Sequence, residues 1–233
     1  LVNSKTKRIH THFNQHVAAT GRLSSVNPNL QNIPIRSETG RLVRKAFMAN
    51  PGQILLAADY SQVELRILAH MSGDETMVNA FNQGQDIHAQ TASEIMGIAI
   101  EDVTSNERSK AKAVNFGLMY GQSSFGLAKT LKISRKDAKE YITRYFERFS
   151  GVKAFLDSLK EEAEAKGYCE TSYGRKRFLP EIYSKNRTVK AMAERVAVNS
   201  PIQGTAADII KLAMVRIDGQ MKEKKLKSNM LLQ

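Results

Sequence analysis

The stretch ILLAADYSQVELRILAH, residues 54–70, constrains the fold most, because its periodicity changes midway and the change falls at a carboxylate. Ile54 to Ala58 form an apolar run, and residues 54–60 read as a short buried strand. Val63, Ile67 and Met71, with Leu68 alongside, then have helical spacing. Asp59 follows the first run and Glu64 lies inside the second. Two acidic groups at the seam of a core need a reason to be there, since a buried charge is costly unless paired or metal-bound.

The rest of the chain is uneven. Residues 1–50 hold turn signals, among them Asn-Pro in ATGRLSSVNPNLQNIPIRSETG, and read as extended chain and loop. From about residue 73 helical patterns dominate. SRKDAKEYITRYFERF opens on Ser134 as N-cap with Asp137 in the first turn, and GVKAFLDSLKEEAEAKG closes on Gly167 as C-cap. YCETSYGRKRFLP reads as a hairpin around Tyr-Gly. RTVKAMAERVAVNS and TAADIIKLAMVRIDGQMKEKK read as helices broken near Ser200-Pro201, and SNMLLQ as the opening of a strand.

Thirty-five Lys+Arg against 23 Asp+Glu give the 233-residue chain a net charge of +12, a field that attracts polyanions. The plain alternative is a basic protein with well-solvated lysines. Cys169 is the single cysteine, so no internal disulfide forms. No stretch approaches the ~18 apolar residues of a membrane span, and no signal peptide opens the chain. A cytoplasmic location with no membrane partner is expected.

A second stretch carries more chemistry. In RSKAKAVNFGLMYG, residues 108–121, Arg108, Lys112, Phe116 and Tyr120 recur every four residues and share one helix stripe. Cations occupy the N-terminal end, where the helix dipole is also positive, and aromatic rings the other end. A nucleoside triphosphate has the same polarity, phosphates at one end and a flat base at the other. The stripe covers about 18 Å at ~1.5 Å per residue, enough for the whole nucleotide. The competing reading is a solvated basic face with Phe and Tyr in the core. Asp59 adds a carboxylate suited to Mg²⁺, which takes one or two carboxylates plus phosphate oxygens. A metal carboxylate beside a triphosphate helix is what nucleotidyl transfer needs.

At this point DYSQVELR resembles motif A of the family A DNA polymerases, and RSKAKAVNFGLMYG their motif B. TGRLSSVNPNLQNIPIR, DIHAQTA, GYCETSYGRKRFLP and NSPIQGTAADIIK agree in order and spacing, nearest the bacterial DNA polymerase I branch. The resemblance implies an α+β right-hand polymerase fold, with a mainly antiparallel palm sheet and a mostly helical fingers subdomain but no thumb. It places the N-terminal palm at 1–72, the fingers at 73–185 and the C-terminal palm at 186–233.

It further implies roles. Asp59 and the carbonyl of Tyr60 hold metal, two Mg²⁺ ions serving the complete enzyme. Gln62, Glu64, His88, Arg108, Lys112, Phe116 and Tyr120 surround the nucleotide, Glu64 blocking a 2′-hydroxyl and Lys112 protonating pyrophosphate. Arg22, Tyr120, Arg195 and Gln203 touch DNA. The implied activity is template-directed DNA synthesis in replication and repair, by a monomer acting on primer–template DNA and deoxynucleoside triphosphates.

The same resemblance sets an expected defect. Family members continue from the residue matching Gln233 into a Val-His-Asp-Glu motif carrying the second metal carboxylate. The chain is therefore expected to be a piece of a longer polymerase, inactive alone. Two alternatives stay open: a single-subunit RNA polymerase, against which Glu64 argues, and a nucleic-acid-binding piece without turnover.

Overall fold

The computed structural model describes residues 2–34 and 37–232. Ile35 and Arg36, which end the TGRLSSVNPNLQNIPIR stretch, and Gln233, which ends SNMLLQ, lie outside the described residues. The fold is α+β, helical with small antiparallel sheets, in two compact units: Leu1–Ser61 with Ala207–Gln233, and Gln62–Ala206.

The first unit is sparse in regular structure. Strands β1 (His12–Asn14) and β2 (Ser24–Val26) pair antiparallel, His12 opposite Val26. Thr11 fastens them: its Oγ1 lies 2.7 Å from Ser25 Oγ, 2.9 Å from the Val26 carbonyl and 2.7 Å from the Pro28 carbonyl. Helix α1 (Glu38–Arg44) starts where Ser37 Oγ accepts from Gly40 N at 3.1 Å. Gly40 is buried against Pro34, whose carbonyl oxygen a Cβ would meet at 2.1 Å. The extended reading of residues 1–50 missed this helix.

Two strand expectations fail here. Residues 54–60 form no strand, and Ile54 and Leu56 are 88% and 89% exposed. An apolar run states a preference for burial, whereas a strand needs a neighbour for its backbone groups. Among the described residues none pairs with 54–60. SNMLLQ fails alike: residues 228–232 hold no strand, and Leu231 is 77% exposed. In place of one palm sheet, the described residues contain two separate two-stranded ribbons.

The second unit is built from helices α2 (Val63–Ser72), α3 (Glu75–Asn82), α4 (Ile87–Met96), α5 (Ser105–Met119), α6 (Ser124–Leu131), α7 (Arg135–Arg148) and α8 (Ser150–Lys166). The expected caps are present. Ser134 Oγ accepts from Asp137 N, and Gly167 ends α8 in the left-handed region at φ 74°. Strands β3 (Tyr168–Glu170) and β4 (Lys176–Phe178) form the expected hairpin, Cys169 opposite Arg177. Leu65, Leu68, Met77, Ile87, Met119, Leu127 and Tyr145 are fully buried, and each such apolar side chain contributes about 1.5–3 kcal/mol.

Asp74 joins two of these helices. Its Oδ1 accepts from Met77 N at 3.0 Å and caps α3. Its Oδ2 accepts from Gly151 N at 2.9 Å and Val152 N at 3.4 Å, in the first turn of α8, whose own N-cap residue Phe149 supplies no side-chain bond.

Helix α9 (Arg187–Glu223) runs without interruption through Pro201, where a break was expected. Proline removes one backbone donor and usually bends or ends a helix. Here Ala197, Val198, Ile202 and Ala206 are all buried, on both sides of the proline. Burial of that face outweighs the lost bond. Among the described residues, no helix is long and apolar enough to cross a membrane.

Candidate functional site

Helix α5 carries the stripe. Thr104 and Glu107 form a capping box at its start: Glu107 Oε2 accepts from Thr104 N at 2.8 Å, and Thr104 Oγ1 accepts from Glu107 N at 3.4 Å. Ala111, Val114, Leu118 and Met119 face the core. That burial fixes the helix's rotation and turns Arg108 and Lys112 to solvent, with Phe116 and Tyr120 half-buried beyond them. Cations at the start and rings at the end are thus observed on one face. Lys112 Nζ lies 6.0 Å from the Phe116 ring centroid, and the Phe116 and Tyr120 centroids are 6.1 Å apart.

Both ends of the stripe are tied to other helices. At the cationic end, Arg108 Nε donates to Asp86 Oδ2 at 2.5 Å. The other Asp86 oxygen caps α4, accepting from His88 N at 3.0 Å and Ala89 N at 3.3 Å. Burial raises the Asp86 pKa, but the Arg108 bond and the two backbone donors outweigh it and hold the carboxyl below its ordinary value. At the aromatic end, Tyr120 Oη donates to Glu64 Oε2. Glu64 is buried at 7% exposure in the first turn of α2, so that acid has a specific partner. Gln62, just before α2, has φ 54°, left-handed backbone uncommon for a residue other than glycine.

His88 lies under the stripe, 2% exposed, its ring centroid 6.0 Å from that of Phe116. Asn115 and Thr91, both fully buried, complete a polar cluster around it. Burial lowers the His88 pKa to about 4, with Arg108 and Lys112 adding to the effect and Asp86 opposing it. The ring is neutral at pH 7.

The second unit therefore brings Glu64, His88, Arg108, Lys112, Phe116 and Tyr120 into one connected line. Arg195 joins from α9, its Cγ 3.3 Å from where a Cβ on Gly121 would lie, so its stem packs beside the residue following Tyr120. Gln203 is half-buried eight residues further along α9. Arg22, Asp59 and Tyr60 belong to the first unit and are exposed. The Asp59 carboxylate and Tyr60 carbonyl are hard oxygen donors of the kind Mg²⁺ takes. Among the described residues, no group of three or more His, Cys, Asp and Glu side chains is placed to hold a metal ion. The donors present suit one ion completed by phosphate and water. Cys169 is buried and burial pushes its thiol pKa up, which suits a passive side chain.

Sequence reasoning missed Asp86, Thr91 and Asn115. Asp86 had a readable sign, an Asx residue opening an apolar helical run. Asn115 and Thr91 had none, since nothing local distinguishes a buried amide or hydroxyl from a solvated one.

The family model for "DNA polymerase family A" matches residues 1–233. The chain is 52% identical over 232 residues to DNA polymerase I of Pseudomonas aeruginosa, covering 100% of this chain and 25% of that protein. It is 54% identical over 227 residues to DNA polymerase I of Lactococcus lactis subsp. lactis, covering 97% and 26%. It is 52% identical over 234 residues to DNA polymerase I of Geobacillus stearothermophilus, covering 100% and 27%. A solved structure, the POL domain of Pol1 from M. smegmatis in complex with DNA primer-template and dNTP, superposes with TM-score 0.90 at 50% identity, over 100% of this chain and 41% of that one. The chain thus spans about a quarter of the length of these relatives.

Proposed function

Because the chain belongs to DNA polymerase family A, we propose that it supplies the nucleotide-binding part of a DNA-directed DNA polymerase active in replication and repair. The reaction is attack of a primer 3′-oxygen on the α-phosphorus of a deoxynucleoside triphosphate. A new P–O bond forms as the bond to the β-phosphate oxygen breaks, and pyrophosphate leaves. The observation that carries this reading is the connected line along α5, from exposed cations through Phe116 to the Tyr120–Glu64 hydrogen bond.

In this reading Arg108 and Lys112 bind the phosphates, Lys112 being placed to protonate the departing pyrophosphate. His88 and Gln62 complete the nucleotide set. Phe116 lies against sugar and base. Glu64, held still by Tyr120, fills the volume a 2′-hydroxyl needs, so ribose is rejected by overlap. Tyr120, Arg195, Gln203 and Arg22 line the primer–template. Contacts to the minor-groove edge test the shape of a pair without reading its sequence. Asp59 and the Tyr60 carbonyl hold divalent metal, and Mg²⁺ supplies charge neutralisation and activation of the 3′-oxygen when bound. The palm comprises 1–72 and 186–233 and the fingers 73–185. The working form is a cytoplasmic monomer with two Mg²⁺ in the complete enzyme.

The test is binding of dATP to the purified chain. Lys112→Ala is expected to weaken triphosphate binding at least tenfold, a loss of about 1.4 kcal/mol, and to change duplex binding far less. Unchanged dATP affinity, or an equal loss for duplex, assigns α5 to a solvated basic face and ends the reading.

A further inference from the structure

We infer that Asp86 is a positioning residue: its carboxylate holds Arg108 by the Nε–H alone, so that the two terminal nitrogens of the guanidinium stay free for two phosphate oxygens. That the phosphates are those of a nucleoside triphosphate rests on the proposed function. The hold on Arg108 rests on the geometry of the pair alone.

Asp86 is fixed by its own helix before it meets Arg108. Its Oδ1 accepts from His88 N at 3.0 Å and from Ala89 N at 3.3 Å, at the start of α4. Oδ2 remains, and it accepts from Arg108 Nε at 2.5 Å. A carboxylate with both oxygens open can grip arginine in a bidentate way and occupy two of its five donors. Here the helix cap has claimed one oxygen, so the grip is a single point. Among the described residues no acceptor meets Nη1 or Nη2 of Arg108. Four N–H groups on two coplanar nitrogens remain, the donor arrangement that matches phosphate. Glu107, next to Arg108 in sequence, is turned back to Thr104 in the capping box of α5 and leaves Asp86 as the anion at this arginine.

The pair acts on direction more than on stability. The Arg108 and Asp86 side chains are 44% and 40% exposed, and an exposed ion pair contributes little to folding. Its effect on an anionic ligand has two opposed parts. The Asp86 charge beside Arg108 weakens the pull on phosphate. Against that, a guanidinium already held in place loses less side-chain freedom when the ligand arrives. The second part prevails, because attraction between exposed charges is screened by water and salt while the saving in freedom is not. Lys112, exposed one turn along α5, supplies charge without such a hold. The division of labour follows: Lys112 is the mobile cation and Arg108 the aimed one.

The experiment is dATP binding to the purified chain carrying Asp86→Ser or Asp86→Asn. Serine and asparagine are good N-caps, so both keep the start of α4. Serine is too short to reach Arg108. Asparagine satisfies the two backbone donors only with its oxygen, which turns its NH₂ toward Arg108. Each variant is expected to weaken dATP binding about fivefold, inside the coupling range of residues in direct contact, at low and high salt alike. On an Arg108→Ala background neither is expected to weaken it further. Solvent exchange of the Arg108 Nε–H, assigned by loss of its signal in Arg108→Lys, is expected to be slow in the wild type and fast in Asp86→Ser. Unchanged or tighter dATP binding in a folded Asp86→Ser chain overturns the inference, since the carboxylate then only competes with phosphate for the arginine. An equal further loss on the Arg108→Ala background overturns it too, since Asp86 then acts through α4. If both variants fail to fold, the wild-type spectrum decides, and a fast-exchanging Nε–H overturns the hold. A wild-type chain that binds dATP no better than Lys112→Ala, with a slow Arg108 Nε–H, overturns the ligand and leaves the hold standing.

Discussion

Replacing Asp74 by alanine removes one buried carboxylate from two helix starts at once. The loss of the α3 cap costs about 1 kcal/mol. The Gly151 N–H bond at 2.9 Å is made to a charged acceptor, and its removal costs roughly 1.5–3 kcal/mol more. The Val152 contact at 3.4 Å is long and adds little. The expected total is about 3 kcal/mol, or on the order of 6–12 °C in melting temperature for a unit of this size. Urea denaturation followed by circular dichroism gives the global number. Amide exchange gives the local one, and Gly151, Val152 and Met77 should lose protection before the rest of α3 and α8. Asp74→Asn tests the reasoning more sharply, because its amide has the same shape but one acceptor oxygen for two donor sets. It should recover less than half of the loss. A second route to the joint is Gly151→Ala, whose Cβ would lie 3.0 Å from Asp74 Cα and 3.1 Å from Oδ2, and should destabilise in the same direction. If Asp74→Ala costs less than about 1 kcal/mol, the carboxylate is not the joint and both helix starts are satisfied by solvent.

Glu64→Ala should narrow the ratio of kcat/KM for deoxy- over ribonucleotide, measured by primer extension in a polymerase carrying this chain; Tyr120→Phe, which removes one hydrogen bond to Glu64 and keeps the carboxylate, should narrow it less. The buried His88 has a folded pKa below its unfolded value, so the unfolded chain takes up the proton first as pH falls. Stability should be complete above about pH 6.5 and decline from there toward pH 4, and His88→Gln should flatten that part of a urea-midpoint-against-pH curve. Gly40→Ala should destabilise the first unit, since the added methyl meets the backbone oxygen of Pro34 and not a yielding side chain; Gly40→Ser should do no better, and proteolysis of residues 1–61 would report either.

The helical face of the molecule was legible because each helix writes its own pattern. Ser134, Gly167, the spacing from Val63 to Met71 and the stripe from Arg108 to Tyr120 all depend on residues within a few turns of one another. The failures concern objects defined by distant partners. Ile54–Tyr60 and SNMLLQ have strand composition but no described neighbour to pair with. Pro201 carries a local stop signal that tertiary burial of α9 overrides. The site divides the same way. Its exposed cations and rings were readable from spacing, while Asn115 and Thr91 acquire meaning only from facing His88 across two helices.

The two ties on α5 have a metrical consequence. Arg108 is fastened to Asp86 and Tyr120 to Glu64, so α5 cannot spin about its axis or slide along it without tearing one of them. The distance between the cation end and the ring end is then a constant of the protein, about 18 Å for twelve helical steps. Such a fixed gauge measures what is laid along it. On the proposed function, a ligand that seats its base at the ring end and is one phosphate too short leaves Arg108 facing only Asp86. On the same reading, the stripe grades nucleotides by length, separately from the sugar selection proposed for Glu64.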